Sequence, residues 1–70
     1  MPDTIELTIN GNSKQFAHGK TISDLLQKLQ LNPQQVAVEV NLELVPRERH
    51  AEYSLVAGDQ VEVVTLVGGG

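Results

Sequence analysis

The chain has 70 residues with nine acidic against five basic side chains, a formal charge of −4, and no cysteine. A single core of this size supplies about 3–5 kcal/mol of net stability. That leaves little room for a deep substrate pocket, no disulfide or thiolate metal site, and no structural zinc on His18 and His50, which stand far apart without further ligands. The acidic balance, with Phe16 and Tyr53 as the sole aromatics, excludes a nucleic-acid binder, which needs a basic stripe and a stacking platform.

Ile5-Glu6-Leu7-Thr8-Ile9 alternates apolar and polar with period two, the pattern of a strand covered on one face. Asn10-Gly11 suits a primed hairpin turn, because both residues tolerate positive φ. Ser13 to Ala17 then returns as a weaker strand with Phe16 inward. Thr21 opens a helix, and Asp24 three residues on completes an approximate capping box. Ile22, Leu25, Leu26 and Leu29 fall at i, i+3, i+4 and i+7, one apolar stripe assigned to the core. Asn32-Pro33 is expected to end that helix.

Val36, Val38 and Val40 alternate as a third strand. Leu44-Val45 reads as a short edge strand stopped by Pro46. Arg47 to Tyr53 is charged and irregular in pattern. Gly58-Asp59 marks the last turn and leads into Val61 to Val67, a β-rich run. The order β-β-α-β-β predicts an α+β fold, a mixed sheet of four to five strands with one helix packed on one face. Placing the first and last strands side by side makes it a β-grasp. Residues 1–67 form the expected domain and 68–70 a flexible tail.

The chemistry-bearing feature is Leu66-Val67-Gly68-Gly69-Gly70. Three glycines reach about 10 Å beyond the last side chain. Without Cβ atoms they thread a narrow channel and accept the φ/ψ that an active site imposes. A terminal carboxylate on such a tail is accessible to another enzyme. Carboxylates are poor electrophiles; adenylation by ATP supplies a leaving group, and a sulfur nucleophile then yields a thiocarboxylate. In an arbitrary protein a glycine tail is a frayed end. Here it follows directly on the strongest strand, which favours a working terminus at Gly70, with Gly68 and Gly69 threading a partner's site.

Asn41, Val45-Pro46-Arg47, Leu55, Gly58-Asp59-Gln60-Val61-Glu62-Val63 and Val67-Gly68-Gly69-Gly70 together resemble the sulfur carrier of thiamine biosynthesis, a ubiquitin-like family. The resemblance spans nearly the whole chain and is sharpest from Asn41 onward. It implies a β-grasp fold and a cycle in which an E1-like partner adenylates Gly70 with ATP. Sulfur from a cysteine desulfurase relay then gives the thiocarboxylate, which thiazole synthase consumes. The carrier is a regenerated cosubstrate, not an enzyme, and binds no cofactor or metal itself. Gly69 and Gly70 match the family's glycine pair; Gly68 is additional. The sulfur-carrying subunit of molybdopterin synthase, a protein-conjugating modifier and a plain β-grasp interaction module are rival readings.

Other features carry less. Gly19-Lys20-Thr21 lacks the earlier glycine of a phosphate-binding loop, since Lys14 stands there. His18 and His50 are expected as surface histidines in loops. Arg47, Glu48 and Arg49 are expected to form a solvated turn, with Arg47 a candidate for partner docking. On the last strand, Val64 and Leu66 share the face of Glu62; if that face is open, they form a docking patch beside the tail. No apolar run approaches the ~18 residues needed to span a bilayer, and Met1-Pro2-Asp3 does not begin a secretory signal. The expectation is a cytoplasmic protein, monomeric when free and away from membranes.

Overall fold

Period-two patterning becomes the two faces of one sheet in the computed structural model, which describes residues 3–66. Strand β1 (Thr4–Ile9) buries Ile5, Leu7 and Ile9. Asn10 and Gly11 take φ of 51° and 83°, the left-handed pair of a type I′ turn. β2 (Asn12–Ala17) then returns antiparallel with Phe16 across from Ile5.

Helix α1 (Ile22–Lys28) starts as its sequence directs. Thr21 donates its N–H to the Asp24 carboxylate at 2.9 Å, and Asp24 N–H reaches the Thr21 hydroxyl oxygen at 3.3 Å. Both halves of the capping box are present. The backbone bond, with the Thr21 hydroxyl second, holds the Asp24 carboxyl below its ordinary value of 3.8.

The far end of α1 corrects the expected boundary. Gln30 takes φ 60°, its N–H bonds to Gln27 O at 3.0 Å and Leu31 N–H bonds to Leu26 O at 2.9 Å. This Schellman pattern ends the helix before Asn32-Pro33 is reached. Leu29 is consequently 36% exposed and outside the core, while Leu31 packs against it.

A 3₁₀ turn (Pro33–Gln35) leads into β3 (Val36–Val40), whose three valines are buried. β4 (Glu43–Val45) is the short strand before Pro46, and β5 (Gln60–Thr65) closes the sheet. The strand order is β2-β1-β5-β3-β4. β5 runs parallel to β1 and antiparallel to β3, which is the β-grasp arrangement read from the element order. Leu7, Val38, Val40 and Val61 meet Ile22, Leu25 and Leu26 of α1 in one core with Leu55. Each large apolar side chain buried there contributes about 1.5–3 kcal/mol.

The segment after β4 is more ordered than its charge pattern suggested. Arg47–Arg49 forms a 3₁₀ turn, and His50 is only 3% exposed. His50 Nε2 lies 3.0 Å from Val45 O; a carbonyl only accepts, so Nε2 carries the proton. The His50 carbonyl accepts the Ser23 N–H of α1 at 3.1 Å. His50 is therefore an interior tie between β4 and α1, not the surface histidine expected; its Nδ1 has no partner among the described residues. His18 is exposed, as expected.

Candidate functional site

β5 is the strand from which the glycine tail departs, and it is held along its length. At its start, Asn41 accepts the Gln60 N–H on Oδ1 at 3.0 Å and donates from Nδ2 to Asp59 Oδ1 at 3.0 Å. Asn41 N–H also reaches Gln60 O at 2.7 Å. Asp59 is buried, and its other oxygen accepts the Val56 N–H at 2.9 Å, which closes the Val56–Asp59 turn in which Gly58 takes φ +89°. The Asn41 and Gly58-Asp59 positions are thus one polar bolt, formed by residues 18 apart.

Further along, Asn10 grips β5 from the other side. Its Oδ1 accepts the Val63 N–H at 2.8 Å and its Nδ2 donates to Val63 O at 3.2 Å. Asn10 N–H bonds Val61 O at 2.9 Å. The side chain imitates a strand neighbour just beyond Ile9, the last β1 residue in register with β5. Leu66 N–H then bonds Gln35 O at 2.7 Å, so the chain is fixed up to the last described residue. The sequence pattern revealed neither asparagine's grip nor that of Gln35.

The outward face of β5 is open, with Val64 52% and Leu66 50% exposed. Val64 stands across from Ala37 of β3, and Glu62 directly opposes Glu39. Leu44 of β4 flanks Glu39 on its other side and is exposed. Two carboxylates in a directly opposed cross-strand pair destabilise a sheet. Neither glutamate has an ion-pair partner among the described residues; the salt bridge there is Arg49–Glu52 at 3.8 Å. The face therefore combines an apolar centre with uncompensated negative charge, a local conflict typical of functional surfaces.

Arg47 is exposed in the turn after β4. β4 and β5 both run antiparallel to β3, with Val45 and Val63 both opposite Val38. The chain thus leaves β4, the edge strand, toward the same end of the sheet as β5, which places Arg47 beyond that edge. Val67, Gly68, Gly69 and Gly70 lie outside the described residues. Among those described, no three His, Asp or Glu side chains gather to hold a metal ion, and no helix is long and apolar enough to cross a membrane.

The ThiS family model matches residues 7–70. The chain is 40% identical over 65 residues to sulfur carrier protein ThiS of Bacillus subtilis, with 91% of this chain and 98% of that protein covered. It is 30% identical over 66 residues to sulfur carrier protein ThiS of Escherichia coli, covering 94% of this chain and 100% of that one. It is also 39% identical over 66 residues to a thiazole synthase of Paramagnetospirillum magneticum, where 94% of this chain spans only 20% of the relative's length. The crystal structure of thiamine biosynthesis protein ThiS from Geobacter metallireducens matches at TM-score 0.78 and 31% identity, covering 94% of this chain and 100% of that one. The fold match and the similarity over nearly the whole length agree, and the chain belongs to the ThiS family.

Proposed function

We propose that this chain is a sulfur carrier of thiamine biosynthesis whose working group is the carboxylate of Gly70. The observation that carries the reading is the family match, which runs from β1 through all three glycines. An E1-like partner transfers AMP from ATP to the Gly70 carboxylate and releases pyrophosphate. The outer sulfur of a persulfide, supplied through a cysteine desulfurase relay, then attacks the carbonyl carbon and expels AMP. A thiol cleaves the resulting acyl disulfide, forming a disulfide with the relay cysteine, and the thiocarboxylate so released passes to thiazole synthase. The carrier contributes no catalytic side chain; it presents and holds the reacting terminus. The cytoplasm, where ATP and reduced sulfur are both at hand, is the proposed setting, with the free carrier monomeric.

Thiazole synthase is favoured as the acceptor by the relative in which a segment like this chain occupies a fifth of a protein of that name. The open face of β5 is the proposed dock: Val64 and Leu66 supply apolar contact, Arg47 stands beyond the β4 edge, and Glu39 and Glu62 favour a partner surface carrying positive charge. Gly68 and Gly69 are the part of the tail that enters the partner's site.

The reading is tested by ATP–pyrophosphate exchange catalysed by the adenylating enzyme. Exchange dependent on the carrier and abolished by deleting Gly70 is expected; exchange that survives the deletion would show that Gly70 is not the required working group. For the dock, Leu66→Asp should weaken binding to the adenylating enzyme at least about tenfold while the fold is kept. Undiminished affinity would remove this face from the interface.

A further inference from the structure

The chain's three lysines lie along one groove on the helix side of the sheet, between β2 and α1. One hollow of about 320 Å³ is lined by Lys20 and Lys28 with Phe16. A second, of about 150 Å³, is lined by Lys14 and Lys28 with Phe16, Leu25 and Leu29. Phe16 and Lys28 line both, so the two hollows adjoin. Asp24, the acidic residue at its border, is engaged by Thr21. In a chain of net charge −4 the groove is a basic island with an apolar floor.

The same groove borders an open strand edge. β2 is the last strand on its side of the sheet. The two-residue loop makes Ile9 and Asn12 a hydrogen-bonded pair, and bonded and non-bonded pairs alternate from there. Leu7 with Lys14 and Ile5 with Phe16 are bonded by that count, in agreement with the bond from His18 N–H to Asp3 O at 2.9 Å. Ser13, Gln15 and Ala17 therefore turn their main-chain N–H and C=O groups away from β1. A lysine on an edge strand is a common guard against unwanted pairing, which accounts for Lys14. It does not account for Lys20 from a loop and Lys28 from α1 converging on the same groove.

We propose that this edge and groove bind an extended acidic and apolar peptide segment of a partner protein. The segment adds as a sixth strand on Ser13, Gln15 and Ala17. Alternate apolar side chains rest over Phe16, Leu25 and Leu29, and carboxylates face Lys14, Lys20 and Lys28. The site lies on the opposite face of the sheet from Val64, so it is independent of the carrier reading and stands or falls separately.

The test is a titration of ¹⁵N-labelled full chain with a blocked octapeptide of four valines followed by four glutamates. The amides of Ser13, Gln15 and Ala17 are expected to shift and to gain protection from hydrogen exchange. Combining Lys14→Glu, Lys20→Glu and Lys28→Glu should weaken binding at least about tenfold, with added salt acting in the same direction. A peptide N-methylated on alternate valines, which leaves the carrier unaltered, should lose binding because strand addition needs those amides. Absence of shifts, shifts centred on Val64, full binding of the N-methylated peptide, or equal binding of a peptide with lysines in place of glutamates would each overturn the proposal.

Discussion

The Asn10-Gly11 and Asn41-Leu42 turns grip β5 from its two sides by different means. Both asparagines occupy left-handed backbone, φ 51° and 53°. Asn10 completes its turn with glycine and uses its whole amide on one residue, the backbone of Val63. Asn41 completes its turn with Leu42, at φ 72° and 83% exposed, and divides its amide between Gln60 N–H and the buried Asp59 carboxylate. The first turn is relaxed and its bonds lie at the surface. The second spends strain, about 1–2 kcal/mol for a leucine in this conformation, and holds a buried charge. Where a side chain must secure a partner in the interior, the surrounding backbone tolerates a residue that does not suit it.

Breaking the second bolt should have the largest effect. Asn41→Ala removes two side-chain bonds and leaves Asp59 buried with one partner fewer; urea denaturation should show a loss of about 2–3 kcal/mol. Asn10→Ala should cost less, about 1 kcal/mol, because its two bonds to the Val63 backbone are exposed and water replaces them. Equal losses in the two variants would contradict the distinction. Leu42→Gly should raise stability by about 1 kcal/mol by relieving the strained φ, seen as a higher Tm. No gain would mean that Leu42 makes compensating contacts.

The smallest effect concerns Asp24. Its carboxyl is held below the ordinary 3.8 chiefly by the Thr21 N–H. The folded state therefore binds its proton less readily than the unfolded chain. The stabilisation is fully present above that ordinary value and is lost as pH falls below it, through the lowered folded value. Melting curves between neutral and strongly acidic pH should fall less steeply in Asp24→Asn. An unchanged slope would mean that other carboxylates account for the acid limb.

Much of this fold was legible because its signals are local. Alternation in Ile5 to Ile9 and Val36 to Val40, the Asn-Gly turn and the Thr21 cap act within a few residues, and each forms where expected. Alternation also put Val64 and Leu66 on the face of Glu62, and that face is open in the structure. What escaped depends on partners distant in sequence or on unusual residues. His50 is buried because Val45 and Ser23 converge on it, which a charged run does not reveal. The end of α1 rests on glutamine, rather than glycine, in a left-handed cap at position 30. The Asn10 clamp joins residues 53 apart, beyond any local pattern.

The central claim, that a rigidly bolted strand delivers an activatable terminus, is tested most directly by intact-protein mass spectrometry. The full chain would be incubated with ATP, the adenylating enzyme and a sulfur donor, beside a variant lacking Gly70. The account expects a mass gain equal to exchange of one oxygen for sulfur in the full chain and none in the variant. No gain in the full chain, with partners shown to be active on a known carrier, would contradict it.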